Sequence, residues 1–142
     1  MAEKVLLVDD EEEFLDIMSE RLTARGMEVT TAGSAGKALS LIENETFDAI
    51  VMDFQMPEMD GMGALKAIKA KKPELQIILL TGYATVEKTV EAMKIGATDF
   101  LEKPADLEAL AKKIKQAKAE KMLLVQNRME SKIKDILQRY GS

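Results

Sequence analysis

Short apolar segments alternate with longer amphipathic segments along the chain. Five of the apolar segments are too short for helices and are rich in aliphatic or β-branched residues, which predicts strands. The predicted strands are Lys4–Val8, Glu28–Ala32, Phe47–Asp53, Gln76–Leu80 and Thr98–Leu101. Between them, apolar residues recur at helical spacing, so each strand is predicted to be followed by a helix.

Residues that commonly begin or end helices fall at the predicted boundaries. Ser34 and Asp106 precede the second and last helices as N-caps. Gly26 and Gly96 follow the first and fourth helices, where glycine often ends a helix. The third helix is predicted to stop before Pro73.

This alternation predicts an α/β protein with a doubly wound, five-stranded parallel sheet of the flavodoxin-like (βα)₅ kind. The expected strand order is 2-1-3-4-5. Ligands of such sheets bind beyond the carboxyl ends of the strands.

The last predicted helix is unusually long. Its apolar stripe is interrupted by Lys121, and with no Pro or Gly before Gly141 it would extend about 50 Å from Asp106 to Tyr140. The stripe consists of Leu107, Leu110, Ile114, Ala117, Met122, Val125, Met129, Ile133, Ile136 and Tyr140. We therefore predict a domain over 1–118 and a helical extension over 119–142. The extension is interpreted either as a dimerisation or docking helix or as a linker of a longer protein.

Composition excludes several classes of chemistry. The 142 residues include no Cys and no His, which excludes disulfides, Ser-His-Asp catalysis and histidine-bound zinc. The formal net charge of −5 argues against nucleic acid as a direct ligand. No apolar run approaches a membrane span and the acidic N-terminal segment is unlike a signal peptide, so we expect a cytoplasmic protein without membrane contact.

Charge is distributed unevenly between the two predicted regions. Residues 1–105 contain 11 Lys and Arg against 20 Asp and Glu, whereas residues 106–142 contain 9 against 5. An acidic body with a basic extension predicts two regions with different roles.

Ionisable residues follow several strand ends. Asp9 and Asp10 follow the first strand, Asp53 ends the third and Lys103 follows the fifth. Because the first and third strands are expected to be neighbours, the three carboxylates should converge. Two such charges about 4 Å apart repel by about 4 kcal/mol at an effective dielectric constant near 20. A hard divalent cation, with Mg²⁺ preferred, would offset this repulsion.

A carboxylate beside Mg²⁺ and a lysine can attack phosphorus and form an aspartyl phosphate. Asp53 is the preferred nucleophile, because it stands alone at the end of the central strand while Asp9 and Asp10 form the acid pair expected to hold the metal. Thr81, at the end of the fourth strand, could bind a phosphoryl oxygen.

Four motifs in order resemble the receiver domain of bacterial two-component response regulators, over about residues 3–118. They are Val8-Asp9-Asp10-Glu11, Asp53-Phe54-Gln55-Met56-Pro57-Glu58-Met59-Asp60-Gly61, Thr81-Gly82 and Asp99-Phe100-Leu101-Glu102-Lys103-Pro104. The stretch from Thr81 to Pro104 is most similar to receivers of transcription activators that carry an ATPase domain.

The resemblance implies a role for each matched residue. Asp53 would be the phosphoacceptor, supplied by a histidine kinase or a phosphotransfer protein. Asp10, Asp53 and the backbone carbonyl of Gln55 would bind Mg²⁺ directly, with Asp9 acting largely through water. Thr81 and Lys103 would contact the phosphoryl group.

The resemblance also implies a conformational switch. Phe100 would be the switch aromatic, moving with Thr81, and the Lys103-Pro104 bond would be cis. Phosphorylation would reshape the face formed by the fourth helix (Val86–Ile95), the fifth strand and the last helix. That face, or the extension, would serve a partner or a homodimer.

Two other functions remain open from the residues. A Mg²⁺-dependent phosphohydrolase of the haloacid-dehalogenase kind also uses a strand-end Asp, but it needs an acid two residues later, where this chain has Gln55. A nucleotide or flavin binder would need glycines or hydroxyls in the first loop, which here is acidic from Asp9 to Glu13.

Overall fold

The computed structural model describes residues 2–56, 59–82 and 86–141, with the backbone alone described at 55–56 and 59–60. The strands of its main sheet are β1 (Lys4–Val8), β2 (Glu28–Ala32), β3 (Ala49–Asp53), β4 (Gln76–Thr81) and β5 (Asp99–Glu102). The helices are α1 (Glu12–Ala24), α2 (Ala35–Asn44), α3 (Gly61–Lys71), α4 (Val86–Ile95) and α5 (Leu107–Tyr140).

All neighbouring strands of the main sheet are parallel, in the order β2-β1-β3-β4-β5. The predicted fold class and strand order are therefore confirmed. A second, two-stranded antiparallel pair, Gln55–Met56 with Met59–Asp60, lies outside this sheet and was not predicted.

Alternate residues of the central strands point to opposite faces of the sheet, because side chains alternate along a strand. Leu6 and Ile50 pack in the apolar cluster that also contains residues of α2, α3 and α4. Val5 and Val51 pack in the cluster that contains residues of α1 and α5. Burial on both faces explains why these strands are continuous apolar runs rather than alternating ones.

Helix ends follow the predicted capping residues. Ser34 Oγ accepts a hydrogen bond from Lys37 N at 3.2 Å, and Asp106 Oδ2 accepts one from Ala109 N at 3.1 Å. Gly26, with φ of 86°, follows the C-cap of α1 in a conformation that residues with a side chain rarely adopt.

Three predicted strands have different bounds in the structure, and β4 differs only in extending one residue further, to Thr81. β3 begins at Ala49 rather than Phe47, and the Asp48 carboxylate accepts a hydrogen bond from Lys4 N at 2.8 Å. β5 is displaced by one residue from the prediction, and the hydroxyl of Thr98 accepts a hydrogen bond from Ile77 N at 3.0 Å. At the start of β3 and of β5 a side chain, Asp48 or Thr98, bonds the backbone of a neighbouring segment, which the apolar pattern does not reveal.

The long helix α5 is continuous over 34 residues, or about 50 Å. Its first half buries Leu110, Ala111, Ile114 and Ala117 against the sheet. Most apolar side chains beyond residue 121 are exposed, including Met129 at 56% and Ile136 at 57%. Within the described parts of the chain, no helix combines the length and apolarity needed to cross a membrane.

Two cations of the predicted extension over 119–142 contact the body of the domain. Lys121 Nζ donates a hydrogen bond to the carbonyl of Phe47 at 2.7 Å and lies 3.9 Å from Asp48 Oδ1. Arg128 forms an ion pair with Glu74. The interruption of the apolar stripe at Lys121 is explained by these contacts, which join α5 to the residues just before β3, at the amino edge of the sheet.

Candidate functional site

The acidic residues of the candidate site lie at the carboxyl ends of β1 and β3. The parallel register places Val8 of β1 opposite Met52 of β3, so the residues that follow, Asp9 and Asp53, are neighbours across the two strands. The backbone N–H of Asp9 is fixed by a 3.1 Å hydrogen bond to the carbonyl of Ala32. The register of the central strands thus brings these two carboxylates together.

Asp9, Asp10 and Asp53 form a cluster in which one carboxylate oxygen from each residue lies within 4.8 Å of the others. Asp9 and Asp53 are only 1% and 6% exposed, whereas Asp10 is exposed. Like charges at this spacing repel, and burial strengthens the repulsion because water screens it less. The cluster therefore requires positive charge close by.

Lys103 supplies positive charge to this cluster from the loop after β5. Its Nζ lies 2.6 Å from Asp9 Oδ2 and 3.3 Å from Asp53 Oδ2, and it is also 3.5 Å from Glu11 Oε1. Burial lowers the pKa of the Lys103 ammonium, but the hydrogen bond to Asp9 and the charges of Asp53 and Asp9 outweigh it. The pKa of Lys103 is therefore raised above its ordinary value, and the side chain is a stable cation at neutral pH.

Two further side chains at this site were not identified from the sequence. Glu11 lies beside Lys103, and its backbone N–H donates a 2.9 Å hydrogen bond to Asp9 Oδ1. The Phe14 ring lies under the Lys103 ammonium, with 4.5 Å from Nζ to the ring centroid. The sequence pattern assigned Phe14 only to the apolar face of α1, because no local signal indicates a contact with a residue so distant in the chain.

Thr81 and Phe100 lie on the neighbouring strands of the same sheet. Thr81 is the last residue of β4 and is 4% exposed, one position beyond the residue paired with Asp53. Phe100 lies in β5 and is half-buried, packed against the cluster of α2, α3 and α4. The Lys103–Pro104 peptide bond is cis.

The donor set of the acid cluster fits a hard divalent cation. The three clustered groups are carboxylates, and carboxylate oxygens suit Mg²⁺ and Ca²⁺ rather than softer metals. Gln55, two residues after Asp53, begins the short antiparallel pair. Pro57 and Glu58 of the same motif lie outside the described residues.

This arrangement combines a nearly buried carboxylate, a metal-compatible acid pair and a fixed ammonium. Such a combination can make the carboxylate a nucleophile toward a phosphoryl group, since the cations offset the charge that develops during transfer. The described residues include no His or Cys with which to build another nucleophile.

Comparison with protein families assigns most of the chain. Residues 5–115 match the model of the response regulator receiver domain. Similar curated proteins include the transcriptional regulatory protein ZraR of Escherichia coli K12, with 38% identity over 115 residues, 81% of this chain and 26% of ZraR. The response regulator protein FleR of Pseudomonas aeruginosa is 40% identical over 110 residues, 78% of this chain and 23% of FleR. The chain thus spans about a quarter of these relatives.

Solved structures of receiver domains have a similar fold. A response regulator receiver domain protein from Clostridium thermocellum has a TM-score of 0.81 and 36% identity, covering 87% of this chain and 99% of that one. The beryllofluoride-activated NtrC4 receiver domain dimer has a TM-score of 0.78 and 37% identity, covering 83% and 98%.

Proposed function

The chain belongs to the response regulator receiver domain family, and on that basis we propose that Asp53 accepts a phosphoryl group from a histidine kinase or a phosphotransfer protein. The observation that carries this proposal is the position of Asp53. Its carboxylate ends the central strand within 4.8 Å of oxygens of Asp9 and Asp10, and one of its oxygens is 3.3 Å from Lys103 Nζ.

We propose that the acid cluster holds Mg²⁺. Asp10, Asp53 and the backbone carbonyl of Gln55 would bind the ion directly, and Asp9 would act through water. When bound, Mg²⁺ would neutralise negative charge on the transferring phosphoryl oxygens. Asp10 suits direct binding because it is the exposed member of the cluster, open to an ion from solvent.

In the proposed transfer, an oxygen of Asp53 forms a bond to phosphorus as the bond between phosphorus and the donor histidine nitrogen breaks. The leaving nitrogen keeps the electron pair of that bond and takes up a proton. Lys103, already beside Asp53, would then contact a phosphoryl oxygen, and the hydroxyl of Thr81 would donate a hydrogen bond to another.

The phosphorylated state would be communicated through Thr81 and Phe100. Movement of Thr81 toward the phosphoryl group would let Phe100 fill the space that it leaves, which would reshape the α4–β5–α5 face. The negative charge added at Asp53 would thus shift the equilibrium between two conformations of Thr81 and Phe100. Phe100 suits this role because it is half-buried and sits on β5 within that face.

The output of the proposed switch is a protein contact. The NtrC4 receiver in the comparison is a dimer, and we propose that this chain forms a homodimer through its α4–β5–α5 face or through the exposed stripe of α5. We place the protein in the cytoplasm, with a downstream protein partner and no direct contact with nucleic acid or membrane.

The phosphohydrolase alternative receives no support from these relatives. We propose that the domain catalyses only its own phosphorylation and dephosphorylation, without turnover of a separate substrate. Gln55, an amide two residues after the proposed nucleophile, has no acid function with which to protonate a leaving group.

Mass spectrometry after treatment with acetyl phosphate tests the phosphoacceptor. We expect wild-type protein to gain one phosphoryl group when Mg²⁺ is present and none when the metal is chelated. Asp53→Asn should abolish the gain, whereas Asp16→Asn, an exposed acid of α1, should preserve it. A phosphoryl group retained by Asp53→Asn would disprove the assignment.

A further inference from the structure

The ammonium of Lys103 is enclosed by groups of two different kinds. Carboxylate oxygens of Asp9, Asp53 and Glu11 lie 2.6, 3.3 and 3.5 Å from its Nζ. The ring of Phe14 provides a π face, with its centroid 4.5 Å from the same atom. The distance lies well within the range of about 6 Å over which a cation is attracted to an aromatic ring.

The ring of Phe14 is held in place by the fold. Phe14 lies in the first turn of α1 and is half-buried, packed against the cluster shared by α1 and α5. This turn begins at Glu12, three residues after Asp9 in the chain. It is closed by a 3.1 Å hydrogen bond that Leu15 N donates to the carbonyl of Glu11. The ring therefore keeps a fixed position relative to the acid cluster.

The two kinds of contact respond differently to phosphorylation. Transfer of a phosphoryl group to Asp53 converts one of the carboxylate partners of Lys103 into part of an aspartyl phosphate, and a bound divalent cation would compete with Lys103 for the same carboxylate. The aromatic face of Phe14 is changed by neither event. It can retain the ammonium beside Asp53 while the ammonium exchanges carboxylate oxygens for phosphoryl oxygens.

We propose that Phe14 is a positioning residue that holds Lys103 against the phosphoryl group during transfer to Asp53. This inference rests on the proposed function of Asp53 and Lys103. The aromatic face of Phe14, rather than the volume of an apolar side chain at position 14, holds the Lys103 ammonium in place.

Substitutions at position 14 separate the aromatic face from bulk. Phe14→Leu keeps an apolar side chain but removes the π face, and it should lower the rate of phosphorylation by acetyl phosphate roughly threefold to tenfold. Phe14→Tyr and Phe14→Trp retain a π face and should restore most of the rate. Thermal unfolding of each variant confirms that it is folded under the assay conditions.

The matched control is another lysine–ring contact of the domain. Lys4 Nζ lies 6.0 Å from the centroid of Phe47. Phe47 is at the amino edge of the sheet, whereas the cluster of Asp9, Asp10 and Asp53 is at the carboxyl edge. Phe47→Leu also removes a ring from the core, so it should lower stability without changing the rate of phosphorylation. A rate reduced as strongly by Phe47→Leu as by Phe14→Leu would assign the effect to packing and overturn the proposal.

Nuclear magnetic resonance gives a readout that does not depend on phosphorylation. The Cε protons of Lys103 should be shifted upfield by the ring current of Phe14, and the shift should disappear in Phe14→Leu. Lys103→Met identifies the signal by its absence. A Lys103 signal at the position of an exposed lysine in the wild type would show that the ring does not contact the side chain, and the proposal would be wrong.

The outcomes distinguish this proposal from the function on which it rests. If wild-type protein is not phosphorylated at all, the proposed function is wrong. If wild type is phosphorylated and Phe14→Leu reacts at the same rate, the positioning role alone is wrong. Equal slowing in the Leu, Tyr and Trp variants would also reject it, because the π face would then have no effect.

Discussion

Lys103 Nζ and Asp9 Oδ2 lie 2.6 Å apart and join two segments that are separated by 94 positions in the chain. The same ammonium is 3.3 Å from Asp53 Oδ2, so a single lysine neutralises part of the charge on two nearly buried carboxylates. The candidate site is thus held together by the electrostatic contacts that would also act in its chemistry.

Replacing Lys103 with methionine removes the positive charge between these acids. We expect Lys103→Met to lower the free energy of unfolding by about 2–3 kcal/mol without divalent cations, because Asp9 and Asp53 then repel each other without compensation. Added Mg²⁺ should bind the variant and stabilise it more than it stabilises the wild type. Phosphorylation of Asp53 should be weakened even at saturating Mg²⁺. Chemical denaturation with and without Mg²⁺ measures the first two effects.

The control for this variant is an exposed ion pair. Lys71 pairs with Glu43 at the surface, and Lys71→Met should change the free energy of unfolding much less than Lys103→Met does, with no dependence on Mg²⁺. Equal losses in the two variants would contradict the special role of Lys103.

The raised pKa of Lys103 predicts a dependence of stability on alkaline pH. A group whose pKa is higher in the folded state stabilises that state fully below its unfolded pKa, here about 10.5. The contribution is lost as the pH rises through the folded pKa. The difference in melting temperature between wild type and Lys103→Met, measured without metal, should therefore be constant near neutrality and narrow above about pH 10.5. A constant difference up to pH 12 would count against this account.

Two truncations test where the domain ends along α5. Removing residues 129–142 leaves both Lys121 and Arg128, whereas removing residues 119–142 also deletes their contacts with Phe47 and Glu74. We expect both proteins to fold and to be phosphorylated, with the shorter one about 1 kcal/mol less stable. Circular dichroism melts and mass spectrometry measure the two properties. Unfolding of the shorter protein would mean that the extension is part of the core.

Exposed apolar residues on α5 provide a test of the proposed homodimer. Ile133 and Ile136 are 55% and 57% exposed and share one side of the helix. If this stripe forms the dimer, Ile133→Asp with Ile136→Asp should give a monomer by light scattering. Ser131→Asp, on the other side of the helix, should leave the dimer intact. A wild-type monomer at all concentrations would exclude the stripe as a dimer interface.

The fold could be predicted from the sequence because the central strands are buried on both faces and are therefore continuous apolar runs. The five apolar runs became the five strands, and the register of β1 against β3 then brought Asp9 and Asp53 together as expected. The contacts of Phe14 and Lys121 could not be predicted in the same way. Each joins residues more than 70 positions apart, and a helical pattern specifies which face is apolar but not which distant atom a side chain meets.

The geometry of α5 has a mechanical consequence. The helix starts four residues after Lys103, at the edge that carries the acids, and Lys121 holds it at the opposite edge of the sheet. Beyond this pivot an arm of 19 residues, about 28 Å, extends to Tyr140, and the Arg128–Glu74 ion pair must open for the whole arm to move. If the first turns of the helix tilt by about 5° about that pivot, the tip moves by about 2.5 Å. A displacement too small to alter the sheet would be magnified at the far end of the chain.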